Sequence, residues 1–294
     1  MTLATPLLSP VFQENNTVLH NICDFDLQQT LDCGQAFRWY EQPDGSFTGV
    51  AFKKVCHISH LDNNIILHGV NQADFEGIWR GYFDLDRDYS QIKQQFSVNP
   101  VLAKATAYAP GIRVLKQEPW EALCSFIISQ NNNVKRIKGI VDRLCTTFGE
   151  PISGGFYAFP TPETLARCSP EDLAPIRAGF RARYLIDAAQ RVASGEIDLE
   201  ILHLLPLDEA RATLMRITGV GIKVADCALL YGCGRIDCFP IDVWIRRAMD
   251  CLFPDGLPDC AADYAGIAQQ YIFHYARTCP AFSKESNAKN RVSL

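Results

Sequence analysis

The chain has 294 residues, a hydrophobic content of 48%, a charged content of 21% and a formal net charge of −5 at pH 7, an ordinary balance for a globular protein large enough for two domains. No apolar run reaches the roughly eighteen residues that a membrane-spanning helix needs. The first twelve residues lack a basic start and a clear cleavage site, so we expect no signal peptide and a cytoplasmic protein.

The negative charge is concentrated in the first third of the chain. Residues 1–105 contain seven Lys/Arg and twelve Asp/Glu, whereas the remainder contains twenty-one of each. Two later stretches, 131–148 and 176–192, are locally basic, with four Lys/Arg against one Asp in each. Local potential decides where a phosphate backbone binds, so the net charge does not exclude nucleic acid as a partner. Solvated helix faces would give the same pattern, and charge alone leaves both interpretations open.

The twelve cysteines follow no regular spacing, and no C-x-x-C pair occurs. Zinc ribbons and iron–sulfur clusters need closely spaced thiolates, which this pattern does not supply. We therefore expect mostly buried free thiols, no metal held by side chains and no iron–sulfur cluster.

Strand-like runs come first along the chain. Three β-rich segments, separated by turn-forming residues, predict an antiparallel meander at residues 46–52, 54–61 and 64–70. From about residue 90 helical periods dominate, so the predicted fold class is α+β, with an antiparallel sheet followed by a helical body.

The predicted helices carry recognisable start and stop signals. Pro119 suits the first turn of a helix that ends before "QNNN", and Gly149 ends the helix that follows. Further apolar stripes at helical spacing predict helices at residues 207–217, 222–231 and 263–277.

The stretch "ITGVGIKVADC", residues 217–227, places a Gly-x-Gly turn between two predicted helices. Its spacing fits neither a P-loop nor a dinucleotide-binding fingerprint, because Val224 stands where each motif needs another residue. A helix-hairpin-helix remains. Its glycines leave backbone N–H groups free at a helix N-terminus, where they can bind a DNA phosphate without sequence preference.

Two titratable residues close to this hairpin suggest chemistry. Lys223 lies in the first turn of the second helix, where the positive helix end disfavours an ammonium group. Asp242, in "FPIDVW", is a natural N-cap, and a capped carboxylate can also face a neighbouring amine. A purely structural cap is the simpler interpretation of Asp242 alone. The pair is what an amine nucleophile acting on a sugar needs.

The hairpin and "FPIDVW" together resemble the helix-hairpin-helix, Gly/Pro-Asp signature of the base-excision DNA glycosylases. The full set of motifs is most similar to the 8-oxoguanine DNA glycosylase/AP lyases of the HhH-GPD superfamily. The other matching segments follow the family's order: "LDCGQAFRWYEQ" (31–42), "SFIISQNNNVKRIKGIVDRLCTTFG" (125–149), "AGFRARYL" (178–185) and "YAGIAQQYIF" (264–273). Each is weak alone, and together they are specific.

The resemblance implies an N-terminal antiparallel β domain of the TBP-like type, followed by an all-α helix-hairpin-helix body of two helical subdomains. The expected boundaries are residues 1–110 for the β domain and 111–235 for the helical domain, with the hairpin at about 207–231. A C-terminal helical segment, 236–294, completes the cleft and ends in a polar tail at 283–294.

The resemblance also implies the reaction. Lys223 would attack C1′ of a flipped 8-oxoguanine nucleoside opposite cytosine in double-stranded DNA, form a Schiff base, and cleave the strand by β-elimination of the 3′ phosphate. Asp242 would stabilise positive charge on the sugar. The resemblance implies no required cofactor. Whether the hairpin binds a structural cation through backbone carbonyls is left open. The expected form is a monomer with no membrane partner.

Further site residues are carried over from the family. The lesion-base pocket would consist of the Gly34 carbonyl, which accepts N7–H of the oxidised base, together with Cys227, Gln269 and Phe273. The remaining positions would contact the DNA: Asn131, Arg136 and Arg181 read the cytosine, Phe180 is the wedge, and Gly219, Val220 and Gly221 bind phosphate.

Three positions depart from the best-known eukaryotic members. Thr218 replaces a proline of the hairpin, Phe180 replaces a tyrosine, and Trp244 replaces a histidine that contacts phosphate. These differences put the phosphate contact of Trp244 in doubt and indicate a bacterial branch. Two alternatives stay open: a helix-hairpin-helix glycosylase for another oxidised or alkylated base, and a catalytically silent DNA-binding module.

Overall fold

The computed structural model describes residues 10–13, 15–280 and 282. The first nine residues and the predicted polar tail, 283–294, lie outside the described residues. None of the helices in the described ranges is long and apolar enough to cross a bilayer.

The N-terminal part of the described chain forms one antiparallel sheet with the strand order β1-β2-β6-β5-β4-β3. The strands are β1 (Pro10–Gln13), β2 (Asn16–Leu19), β3 (Trp39–Glu41), β4 (Phe47–Ala51), β5 (Lys54–Leu61) and β6 (Asn64–His68). The predicted meander corresponds to β4, β5 and β6 and is confirmed. The other three strands were not predicted as separate elements.

The remaining described residues are mainly helical. The helices are α1 (Leu27–Leu31), α2 (Gln72–Asp74), α3 (Arg80–Tyr82), α4 (Tyr89–Phe96), α5 (Pro100–Tyr108), α6 (Pro119–Ser129), α7 (Val134–Phe148), α8 (Pro162–Ala166), α9 (Arg181–Ala193), α10 (Leu207–Leu214), α11 (Ile222–Cys233), α12 (Val243–Leu252) and α13 (Ala265–Thr278). A π-helical segment, Phe75–Trp79, joins α2 to α3, and 3₁₀ turns lie at Ser153–Gly155, Ala174–Ile176 and Asp259–Tyr264. The α+β fold class is confirmed.

One face of the sheet packs on an aromatic cluster supplied by the segment that follows β6. Trp39 is fully buried there and donates its indole N–H to the Tyr82 hydroxyl at 2.7 Å. Gly49 lies opposite Trp39 on β4, and a Cβ at that position would stand 2.3 Å from the indole ring. The close approach of strand and ring therefore requires glycine.

A second, larger core lies among the helices. It includes residues of α4 and α5, which precede residue 110, because these helices pack beside the 3₁₀ turn Asp259–Tyr264 and against α13. The first core contains Leu115 beyond the predicted boundary. Between residues 89 and 115 the chain thus contributes to both cores, on both sides of position 110. The domain boundary at residue 110 stays a prediction.

A buried ion pair ties the sheet to the helical body. Arg38 donates to a carboxylate oxygen of Glu121 on α6 at 3.1 Å and also to the Tyr157 carbonyl, and both charged side chains are at most 10% exposed. Burial raises the pKa of Glu121 from 4.5 to about 7, against the opposing effect of the Arg38 charge. The pair is costly to break from one side, since the other charge would stay buried alone.

We expect Arg38→Met to lower the free energy of unfolding by about 3–5 kcal/mol at pH 8. The loss is smaller at pH 5. A carboxyl group whose pKa is higher in the folded than in the unfolded protein lowers the stability only as the pH rises through the range between the two pKa values. At pH 5 Glu121 is protonated, and an uncharged Glu121 tolerates the missing partner. Urea unfolding at both pH values measures the difference.

Two controls sharpen this measurement. Arg80→Met breaks a more exposed ion pair with Glu76 and Asp86 and should cost less than about 1 kcal/mol. The double change Arg38→Met, Glu121→Met should recover most of the loss. Equal losses at the two pH values would contradict the assignment to Glu121.

Candidate active site

The helix-hairpin-helix is formed by α10, a turn at residues 215–221 and α11. Gly219 has φ +80°, and a Cβ there would stand 2.4 Å from the Tyr184 ring. Val220 is buried, and its N–H donates to the Ile217 carbonyl at 3.0 Å. The turn is therefore closed by a bond of its own and by a contact that only glycine permits.

The amides of Gly219, Gly221 and Ile222 face outward. These three residues are exposed, and within the described chain no acceptor bonds to their N–H groups. Gly221 is the N-cap of α11, so the free amides cluster at the positive end of a helix. This arrangement suits a DNA phosphate. Of the three predicted contacts, the Val220 amide is the one already used inside the turn.

Two carboxylates that the sequence reasoning missed hold the hairpin in place. Asp226 on α11 is buried and accepts two bonds from Arg211 on α10, at 2.6 and 3.3 Å. Asp187 on α9 accepts the Thr218 N–H at 2.7 Å. Burial raises the pKa of Asp187, but the bonds from Thr218 and Arg191 outweigh it, and the net pKa is lowered.

A cavity of about 730 Å³ opens beside the hairpin. Its lining brings together most of the predicted site residues: Gly34, Asn131, Gly221, Lys223, Cys227, Asp242, Trp244, Gln269 and Phe273. The structure thus unites segments separated by more than 200 residues of sequence, between Gly34 and Phe273. Arg136, Arg181, Phe180, Gly219 and Val220 lie outside this lining.

Lys223 projects into the cavity from the first turn of α11. Its Nζ donates to the hydroxyl of Ser129, the last residue of α6, at 3.2 Å. The same nitrogen lies 5.4 Å from the centroid of the Phe126 ring, which stacks on Tyr231. An aromatic floor and one hydroxyl therefore position the amine. Neither partner was identified from the sequence, where α6 gave only a helical period.

Cys227 lies one turn beyond Lys223 on the same face of α11 and is buried. Burial raises the pKa of its thiol to about 11, although the Lys223 charge opposes the shift. The thiol is therefore neutral near pH 7 and presents a polarizable, uncharged wall to the cavity.

Asp242 is the N-cap of α12, as predicted. One carboxylate oxygen, Oδ1, accepts both cap bonds, from Trp244 N–H at 3.0 Å and Ile245 N–H at 2.8 Å. The half-buried carboxylate also lines the cavity. The cap fixes the side chain while leaving Oδ2 outside those two bonds. Both interpretations of Asp242, as a cap and as a cavity carboxylate, thus apply to the same residue.

Gly34 enters the cavity from the sheet side. Its φ of +95° favours glycine, and a Cβ there would stand 2.9 Å from Arg277 Nη1 and 3.6 Å from the Phe273 ring. No donor among the described residues bonds to its carbonyl oxygen. The neighbouring Gln35 is fully buried and bonds to several backbone groups, which holds this loop against the helical body.

One face of α13 supplies Gln269, Phe273 and Arg277 at four-residue intervals, and all three line the cavity. The Gln269 amide donates to the Pro240 carbonyl at 3.2 Å. The Tyr231 hydroxyl, which also lines the cavity, lies 2.6 Å from Gln270 Oε1 and 3.4 Å from Gln269 Oε1. Arg277 was missed by the sequence reasoning, although the spacing from Phe273 would have indicated it.

The residues predicted to contact the opposite strand differ in their exposure to solvent. Asn131 and Arg136 are exposed, Asn131 has a left-handed φ of +47°, and Phe180 is 53% exposed. Arg181, by contrast, is 2% exposed, and its guanidinium donates to the carbonyls of Gln130, Asn131 and Ala178. In this conformation Arg181 holds the 130–131 loop and gives most of its donors to backbone carbonyls, so its reading role stays a prediction.

All twelve cysteines are free thiols, and no group of three or more His, Cys, Asp or Glu in the described ranges is arranged to hold a metal ion. The side chains that line the cavity include an amine, a carboxylate, a thiol and aromatic rings.

Comparison with known proteins identifies the family. The family described as "8-oxoguanine DNA glycosylase, N-terminal domain" matches residues 17–123, and "HhH-GPD superfamily base excision DNA repair protein" matches residues 124–256. An N-glycosylase/DNA lyase of Saccharomyces cerevisiae is 31% identical over 255 residues, which are 77% of this chain and 68% of that protein. The chain belongs to the N-glycosylase/DNA lyase family of base excision repair proteins.

Solved structures agree with this assignment. The structure of MBOgg1 in complex with a low affinity DNA ligand is 45% identical, with a TM-score of 0.88, and the match covers 92% of this chain and 98% of that one. The Clostridium acetobutylicum 8-oxoguanine glycosylase/lyase, in complex with double-stranded DNA containing cytosine opposite 8-oxoG, is 36% identical with a TM-score of 0.85, over 92% and 97% of the two chains. The resemblance inferred from the motifs is confirmed, and this N-glycosylase/DNA lyase has the fold that the family implies.

The hairpin geometry predicts different outcomes for two glycines two residues apart. Gly219→Ala should lower the free energy of unfolding by about 2 kcal/mol or more, through left-handed strain and the contact with Tyr184, and should weaken DNA binding. Gly221→Ala is the matched control: its φ is −100° and no atom lies within 4 Å of the added Cβ. Urea unfolding should show a smaller loss, of about 1 kcal/mol or less, because alanine is a poorer N-cap than glycine. Similar losses for both variants would contradict this account of the turn.

Proposed function

We propose that this enzyme excises 8-oxoguanine opposite cytosine from duplex DNA and then cleaves the strand, with Lys223 as the nucleophile. The observation that carries the proposal is the convergence of Lys223, Asp242 and Gly34 on one cavity. The relatives described as 8-oxoguanine glycosylase/lyase support the substrate. The cavity volume of about 730 Å³ leaves room for a flipped nucleoside.

Recognition of the base rests on the free carbonyl of Gly34. Oxidation turns N7 of guanine from an acceptor into a donor, so a fixed carbonyl attracts the oxidised base and repels the lone pair of guanine. Phe273 and Cys227 would cover the two faces of the ring, and Gln269 would bond to the Watson–Crick edge. Gln269 keeps its Pro240 bond through one amide hydrogen, which leaves further hydrogen-bonding capacity for the base.

The reaction begins when the neutral Lys223 amine attacks C1′. The bond from C1′ to N9 of the base breaks, and the base leaves with its electron pair. Asp242, fixed by its two cap bonds, stabilises the positive charge that develops on the sugar. The nitrogen now bonded to C1′ loses a proton and the sugar ring opens, which gives a Schiff base between Lys223 and C1′. Removal of a C2′ proton then expels the 3′ phosphate by β-elimination.

The remaining predicted residues would handle the duplex. Phe180 is exposed enough to act as a wedge between bases. Asn131 and Arg136 would meet the unpaired cytosine, and Arg181 would join them once its bonds to the loop carbonyls rearrange. Trp244 lines the mouth of the cavity and has one indole N–H for a phosphate.

We further propose that the enzyme acts as a monomer in the compartment that holds the chromosome, without a required cofactor. A cation bound to hairpin carbonyls stays compatible with this scheme. Two alternative functions would replace this proposal: excision of another oxidised or alkylated base, and DNA binding without catalysis.

Borohydride trapping tests the nucleophile. The wild type should form a covalent complex with an 8-oxoguanine:C duplex, and Lys223→Gln should abolish it, because only an amine forms the reducible Schiff base. Lys104→Gln, on the exposed side of α5, is the matched control and should cross-link like the wild type. Trapping on a panel of lesions separates the substrates. A wild type that forms no complex with any lesion would contradict the assignment of Lys223 as the nucleophile.

Asp242→Asn separates charge from capping. Asparagine caps helices as well as aspartate, so α12 and its two cap bonds should persist, and DNA affinity should stay close to that of the wild type. The rate of base removal in single turnovers should fall by about a hundredfold or more, because the charge that stabilises the sugar cation is gone. A parallel loss of affinity would indicate that Asp242 is mainly structural.

A further inference from the structure

Arg277 occupies the active-site cavity without an assigned role. It lies one turn beyond Phe273 and two turns beyond Gln269 on the cavity face of α13. A cation in the last turn of a helix is electrostatically favoured, which alone would explain an arginine at this position. Its surroundings go beyond that explanation.

The Arg277 guanidinium makes few interactions with other side chains or with the backbone. Its hydrogen bond goes from Nη1 to the Cys33 carbonyl at a long 3.3 Å, and its carbon lies 5.6 Å from the centroid of the Phe273 ring. No Asp or Glu of the described chain forms an ion pair with it. A guanidinium carries five N–H donors, so most of them remain available in a half-buried cavity.

The position of Arg277 relative to Gly34 points to what those donors meet. The point where a Gly34 Cβ would stand is 2.9 Å from Arg277 Nη1 and 3.6 Å from Phe273 Cε1. The guanidinium thus borders both Gly34, whose carbonyl would accept from the base, and the ring that would cover the base. A donor therefore lies beside the residue proposed to supply the acceptor.

The oxidised edge of the lesion is complementary to this pair. In 8-oxoguanine, N7–H is a donor and the adjacent C8 oxygen is an acceptor, whereas guanine has an acceptor at N7 and a carbon-bound hydrogen at C8. We propose that Arg277 is a specificity residue that donates a hydrogen bond to the C8 oxygen while the Gly34 carbonyl accepts N7–H. This inference rests on the proposed function. It implies that two hydrogen bonds, one to N7–H and one to the C8 oxygen, recognise the oxidised edge.

Equilibrium binding in a Lys223→Gln background tests the inference without turnover. The probes are three duplexes with 8-oxoguanine, guanine or a tetrahydrofuran abasic analogue opposite cytosine. Arg277→Met keeps an apolar stem beside Phe273 but removes the donors. It should reduce the preference for 8-oxoguanine over guanine by about tenfold to a hundredfold, the range expected for a bond to a charged donor. Affinity for the abasic duplex, and the salt dependence of binding, should stay unchanged.

The alternatives give different results. A phosphate contact would lower affinity for all three duplexes and make the salt dependence shallower. A purely structural role would lower the thermal midpoint of the free protein by clearly more than the small loss expected for the control Arg80→Met. Either result, or an unchanged preference in Arg277→Met, overturns the inference and leaves the proposed function standing. If the Lys223→Gln protein shows no preference for 8-oxoguanine, both fail together.

Discussion

The active site depends on one buried amide. Gln35 donates to the carbonyls of Thr30 and Arg113, each at 2.8 Å, and accepts the Leu115 N–H at 2.9 Å. Its own carbonyl accepts the side chain of Gln117 at 2.8 Å. A fully buried glutamine is tolerated only when its polar atoms are satisfied, and here Thr30 of α1 and the segment between α5 and α6 satisfy them. Gly34 is therefore held in a fixed relation to the helices that carry Lys223 and Asp242.

That constraint matters because the site has two origins. The carbonyl that would test the base comes from the sheet domain, whereas the nucleophile, the carboxylate and the covering ring come from the helical body. The Arg38–Glu121 pair is a second tie across the same junction. A shift of one half against the other would separate recognition from chemistry, and geometric errors of that kind are costly for catalysis. The Gln35 bonds and the buried Arg38–Glu121 pair thus both hold the two halves of the site together.

Two helix N-termini meet at the cavity, and they are used differently. At α11 the free amides remain exposed, which leaves positive potential for a phosphate and places Lys223 where an ammonium is disfavoured. At α12 the amides are taken by Asp242, which brings a negative charge to the same space. The amine and the carboxylate are thereby set by local backbone geometry, and this explains why sequence reasoning could locate both.

Local patterns predicted a large part of this molecule. Alternation identified β4 to β6, helical spacing and end signals identified α6, α7, α10, α11 and α13, and capping chemistry identified Asp242. Strands β1 and β2 were missed because β2 pairs with β6 across intervening sequence, which no turn signal reveals, and β1 joins the sheet only through β2. Gln35, Asp226 and the Arg38–Glu121 pair were missed for the same reason, since their partners are set by tertiary packing.

The loop after α6 shows where residue type alone is insufficient. Ser129 contacts the Lys223 amine, and the carbonyls of Gln130 and Asn131 receive the buried Arg181. Three consecutive residues therefore connect the nucleophile to an arginine expected to read the opposite base. Those carbonyls would need new partners if Arg181 turned toward DNA, and the left-handed Asn131 lies between the contact to Lys223 and the bonds to Arg181. The sequence named the residues on both sides of this loop, and the structure adds the bonds that join them.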